Sequence, residues 1–150
     1  MKPTAAPAFD LGEYLPYLVN RVGVRIATAF ARELAPHGLS LPMWRMLAVL
    51  AQAGASRQID LAGLTSIDPS TLSRLVKTVQ GLGLVSRMRS AASQREVTIA
   101  LTPRGRAVVK ALIPSALDYE ARAIRGLDAR ELALVKGLLR RVYDNMDATG

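Results

Sequence analysis

The sequence predicts a mainly α-helical fold carrying one small β-hairpin. Apolar residues recur at spacings of three and four through most of the chain, the signature of amphipathic helices. The stretch 84–101 switches to alternation, with Val85, Arg87 and Arg89 on one side of the first strand and Val97, Ile99 and Leu101 inward on the second. A capping side chain followed by proline marks two helix starts, Asp68-Pro69 and Thr102-Pro103.

Each element follows from its residues. Between Leu11 and Leu34, the apolar set Leu15, Leu18, Val19, Val22, Ile26, Ala29, Phe30 and Leu34 describes one helix. Pro16 lies near its start, and Pro36 with Gly38 ends it. Ser40 caps a second helix with Pro42 in its first turn, running through Trp44, Met46, Leu47 and Leu50 to Gly54. The link Ala55-Ser56-Arg57-Gln58 leads to a third, near 59–66, too short to persist without packing partners. Asp68 then caps a helix with Leu72, Leu75, Val76, Val79 and Leu82 on one face. Ser70, Thr71, Ser73, Arg74, Lys77 and Thr78 occupy the other, and Gly81 and Gly83 end it. The strands at 84–89 and 96–101 flank a polar turn, Ser90–Arg95. A long helix opens at Thr102-Pro103 and should kink at Pro114, where a backbone hydrogen bond is lost. The last helix starts at Asp128 and carries Leu132, Val135, Leu138, Leu139, Val142 and Met146.

Composition narrows the function. The 150 residues suit one domain, or one dimer-forming subunit, and 50% are hydrophobic, enough for a sizeable core. No apolar run approaches the roughly 18 residues of a membrane span, and MKPTAAPAF lacks the pattern of a signal peptide. A cytoplasmic protein is expected. There is no cysteine and a single histidine, His37, so no metal and no cofactor are expected. The carboxylate pairs Asp118 with Glu120 and Asp128 with Glu131 are poor acid–base candidates. The first two diverge on a helix, and the second pair reads as a cap with its first-turn acid. No nucleophile elbow or glycine-rich phosphate loop is present. The chain is not expected to be an enzyme.

The net charge of +8 is unevenly spread. Residues 57–106 hold eight Lys/Arg against three acids, a larger excess than either flank. That concentration suits a surface that neutralises phosphates. A short helix, a turn and a second helix with a hydroxyl-and-arginine face form a helix-turn-helix, and the hairpin makes it winged. Singly, Ser70 and Thr71 read as capping hydroxyls, and Arg74 and Lys77 as a solvated face. Together with the hairpin arginines Arg87, Arg89 and Arg95, they favour double-stranded DNA.

The runs LSLPMWRMLAVLAQAG, LAGLTSIDPSTLSRLVKTVQGLGLVSRMRS and REVTIALTPRG closely resemble the MarR family of winged helix-turn-helix transcriptional regulators. The resemblance spans roughly residues 11–146, and its most specific pieces are STLSRLVKTVQGLGLVSR and LTPRG. It implies a homodimer on a pseudo-palindromic operator, joined by the terminal helices (1–35 and 107–150), with a DNA-binding lobe at 36–106. It assigns the DNA-facing role to Ser70, Thr71, Ser73, Arg74 and Lys77. The family's Asp-x-Arg wing tip maps onto Ser93 and Arg95, so the arginine is retained and the aspartate that would aim it is not. Relatives that sense small phenolic or carboxylated aromatics suggest His37, Trp44 and Arg45 as ligand candidates. Packing of Trp44, a helix-end position for His37 and an exposed charge at Arg45 are the competing readings. A repressor released by a small ligand is the expected function. A ligand-independent architectural DNA binder and a dimeric interaction module that has lost DNA binding are the alternatives.

Overall fold

A computed structural model describes residues 9–89, 91 and 96–147. A 3₁₀ turn at Leu11–Glu13 precedes α1 (Leu15–Leu34), and a second 3₁₀ turn, Ala35–His37, precedes α2 (Leu41–Ala53). Then come β1 (Ser56–Arg57), α3 (Gln58–Thr65), α4 (Pro69–Gly81), β2 (Val85–Arg89) and β3 (Val97–Leu101). The chain ends in α5 (Pro103–Ala123) and α6 (Ala129–Asp147).

The chain forms two compact units, one running to Ala116 and the other starting at Leu117. In the first, α2 packs on α3 and β3, and α4 packs on α3 and β2. Leu34, Met46, Leu47, Leu61, Leu72, Val76, Val79 and Ile99 are completely enclosed there. Complete burial of each such side chain contributes about 1.5–3 kcal/mol. This shared core supports the short α3, as its length demanded. In the second unit, α6 begins with a reciprocal cap. Asp128 Oδ1 accepts from the Glu131 N–H at 2.8 Å, and Glu131 Oε2 accepts from the Asp128 N–H at 2.8 Å.

Three features go beyond the sequence expectation. The link at 55–58 contains a strand: Ser56 pairs with Ile99 and Arg57 with Thr98, so the hairpin is part of a three-stranded sheet in the order β1-β3-β2. The first helix does not stop cleanly at Pro36 but tightens into a 3₁₀ turn, closed by Gly38 in the left-handed region at φ 68°. The long helix runs on through Pro114 to Ala123, past Leu117.

Candidate nucleic-acid interface

The turn between α3 and α4 is built by short-range bonds. The Ser66 N–H donates to the Gly63 carbonyl at 3.1 Å and the Ile67 N–H to the Ala62 carbonyl at 3.2 Å. Ser66 itself takes the left-handed conformation, φ 52°. Beneath it, the buried Thr65 hydroxyl donates to the Leu61 carbonyl at 2.7 Å, so its burial leaves no orphaned group.

Asp68 then opens α4. Its carboxylate accepts the backbone N–H groups of Ser70 and Thr71, each at 3.0 Å, and the Ser70 hydroxyl at 2.9 Å. Hydrogen bonds from Thr71 and Ser70 stabilise the charged form and hold its pKa well below 3.8, at about 2. A depressed carboxylate pKa contributes stability that is complete above the unfolded value and lost as pH falls through the folded one. Thermal melts of Asp68→Asn and the wild type should therefore differ most near neutral pH. They should converge between about pH 4 and pH 2; a gap that persists undiminished at pH 2 contradicts an ionised cap.

Along α4, Leu72, Val76 and Val79 are buried, whereas Ser70, Thr71, Arg74, Lys77 and Thr78 are exposed. Ser73 is half-buried at the edge rather than on the open face. Ser70 is partly committed to Asp68, so its capping and surface roles coexist. Arg74 and Lys77 have no acidic partner among the described residues. The helix closes through Gly83 (φ 73°), with the Leu84 N–H donating to Val79 and the Gly83 N–H to Gln80.

The wing register pairs Val85 with Leu101, Arg87 with Ile99 and Arg89 with Val97. Directly paired residues share a face. Arg87 and Arg89 therefore lie on the face that is core at the base of the sheet, not on a separate solvent face. Burial fades along β2 from Val85 (buried) through Arg87 (half-buried) to Arg89 (exposed), because the hairpin extends beyond the core. Ser93 and Arg95 lie outside the described residues.

Sequence reasoning did not assign Arg57 a role. Its Nε and Nη2 bond the Asp60 carboxylate at 2.7 and 3.0 Å, and its Nη1 reaches Glu96 Oε1 at 3.5 Å. The Arg-x-x-Asp spacing was a visible local signal; the Glu96 partner, 39 residues away, was not. The Asp60 carboxylate, and Glu96 after it, raise the guanidinium pKa.

None of the three ligand candidates lines the cavity beside α3 or the groove beside α5. His37 is exposed at the end of its 3₁₀ turn. Trp44 is half-buried edge-on against Phe30, with ring centroids 5.6 Å apart. Arg45 donates to the Thr65 carbonyl at 3.4 Å, at the end of α3. A groove of about 510 Å³ lies elsewhere, between the C-terminal end of α2, β3 and the first turns of α5. Leu50, Leu101, Val109 and Ile113 make it apolar, and Arg106 and Lys110 supply its charge.

Of the carboxylates weighed for acid–base work, Glu120 pairs with Lys136 at 2.6 Å, and Asp128 with Glu131 forms the α6 cap. Among the described residues no group of His, Asp and Glu could hold a metal, and no helix is long and apolar enough to cross a membrane.

The sequence pattern of the MarR family matches residues 39–97. An HTH-type transcriptional repressor of Mycobacterium bovis is 32% identical over 132 residues, covering 88% of this chain and 89% of that protein. A MarR-family transcriptional regulator from Silicibacter pomeroyi superposes with a TM-score of 0.80 at 32% identity, over 91% of this chain and 92% of that one. BpsR of Bordetella bronchiseptica, whose DNA binding is regulated by 6-hydroxynicotinic acid, gives a TM-score of 0.79 at 26% identity, over 86% and 98%. These relatives are transcriptional regulators. The chain is a winged-helix transcriptional regulator, not an enzyme, and belongs to the MarR family.

Proposed function

We propose that the protein is a cytoplasmic, homodimeric repressor that reads a pseudo-palindromic DNA site and releases it on binding a small effector. The observation that carries this reading is the exposed hydroxyl-and-cation face of α4. Ser70 and Thr71 stand on it beside the Asp68 cap, Arg74 and Lys77 stand on it with no acidic partner among the described residues, and Ser73 lies at its edge. Side chains of this length on a helix in a major groove reach base edges and phosphates. Arg87, Arg89 and Arg95 belong to the wing and extend the contact along the backbone and into the minor groove.

Dimerisation is assigned to the terminal helices, 1–35 and 107–150, with 36–106 as the DNA-binding lobe. Its support is unpaired apolar surface: Leu15, Val19 and Val22 on α1, and Leu134, Leu138 and Leu139 on α6, are exposed. Apolar faces of this extent mark association surfaces. Two-fold symmetry then sets two recognition helices one DNA turn apart, about 34 Å. An effector that favours another spacing shifts the population away from the DNA-bound form.

The effector is assigned to the groove beside α5, and His37, Trp44 and Arg45 stay as the candidates that the sequence offers for a second contact region. Apolar walls with Arg106 and Lys110 and no lining acid suit a small aromatic carboxylate or phenolate. BpsR responds to such a molecule. The experiment is selection of bound sequences from random duplex DNA at physiological salt, with sedimentation of the complex. Enriched inverted half-sites bound by two subunits support the reading. Salt-dominated binding without enrichment points to an architectural protein instead.

A further inference from the structure

We propose that Arg57 is the positioning residue that holds the wing at its working angle to the helix-turn-helix. The inference rests on the DNA-reading function proposed above. Arg57 occupies a junction: it pairs with Thr98 of the wing strand β3, immediately precedes α3, and sends its side chain to both elements. The bidentate bond to Asp60 fixes the guanidinium plane on the first turn of α3. From there Nη1 points to Glu96, the residue at the start of the wing's returning strand.

The core packing of β3 is centred on Ile99, three residues beyond Glu96. The ladder between β1 and β3 has two residue pairs, Ser56 with Ile99 and Arg57 with Thr98. A cavity of about 210 Å³ separates the starts of α3 and α4 from the wing, lined by Arg57, Ile59, Pro69 and Glu96 among others. Where apolar packing is open, a directional ion pair decides the angle. The bridge is half-exposed at both ends, so it adds little to global stability. Its effect falls on the geometry that DNA binding needs.

The arrangement also makes a prediction of opposite sign from simple electrostatics. Asp60 and Glu96 are two of the three acids within the basic stretch 57–106. Removing an acid from a phosphate-facing surface should raise affinity. If Glu96 anchors the wing, removing it lowers affinity instead.

The test uses the duplex sites that the wild-type protein selects from a random pool, with affinity measured over a range of salt. Glu96→Ala and Arg57→Gln are each expected to weaken binding roughly three- to tenfold, and the double variant to be no weaker than either single one. Melting temperatures and the salt slope should stay at wild-type values. Glu96→Ala binding as tightly as the wild type, or tighter, overturns the proposal. So does an Arg57→Gln salt slope lower by about one, since that identifies a direct phosphate contact. A wild-type protein that selects no sequence removes the DNA-reading function itself, and this inference with it.

Discussion

Replacing Gly105 with alanine is expected to lower stability by about 3 kcal/mol or more. That corresponds to roughly 6–12 °C in melting temperature for a protein of this size. Gly105 is buried in the first turn of α5, where the chain passes over the start of β2. A Cβ there would stand directly against the carbonyl oxygen of Leu84, 2.9 Å from its carbonyl carbon and 3.3 Å from Leu101 Cδ2. The obstacle is backbone, so no rotamer change relieves it. Leu84 cannot yield easily either, because its N–H donates to Val79 at 3.1 Å and its carbonyl accepts from the Thr102 N–H at 3.0 Å. Thr102 tightens the same corner: its hydroxyl donates to the Gly83 carbonyl at 2.7 Å and accepts from the Gly105 N–H at 3.0 Å. A shift at Gly105 would therefore be passed to the end of α4. Urea and thermal unfolding of the variant measure the loss, and a melting temperature equal to the wild type would refute the close approach.

Replacing Arg74 with alanine is expected to weaken binding to selected DNA sites roughly ten- to a hundredfold. Binding to random DNA should change far less, because a base-edge contact carries sequence information and a phosphate contact does not. Arg74 stands mid-way along the exposed face of α4, without an acidic partner among the described residues. Its removal leaves the helix intact, since the helix is anchored from its other face by Leu72, Val76 and Val79. Lys77→Ala is the useful contrast. A point charge on phosphate predicts equal weakening on selected and random DNA, with the salt slope lower by about one. Equal binding of selected DNA by Arg74→Ala and the wild type would show that this face does not read bases.

The helix boundaries were legible because their causes are local. Asp68, Ser40 and Asp128 cap helices with side chains that reach two or three residues ahead. The buried face of α4 follows from the spacing of Leu72, Val76 and Val79, and the inward alternation of β3 from Ile99. Ser73 shows the limit of such patterns: counted among the outward residues by spacing, it is half-buried because neighbouring elements set the width of the covered stripe. Arg87 shows it again. It shares a side of its strand with Val85, and its partner across the ladder is the completely buried Ile99.

The sequence by itself determined the helical periodicity, the caps, the hairpin and the concentration of positive charge, since each follows from residue types and their spacing along one continuous stretch of chain. Tertiary structure decided what distant residues do to each other. It made a strand of Ser56-Arg57 by supplying β3 as a partner, and joined Arg57 to Glu96 across 39 residues. It also placed Gly105 against Leu84 and opened the groove beside Arg106 and Lys110, away from His37, Trp44 and Arg45. These features arise from the approach of separate elements, which no local spacing encodes.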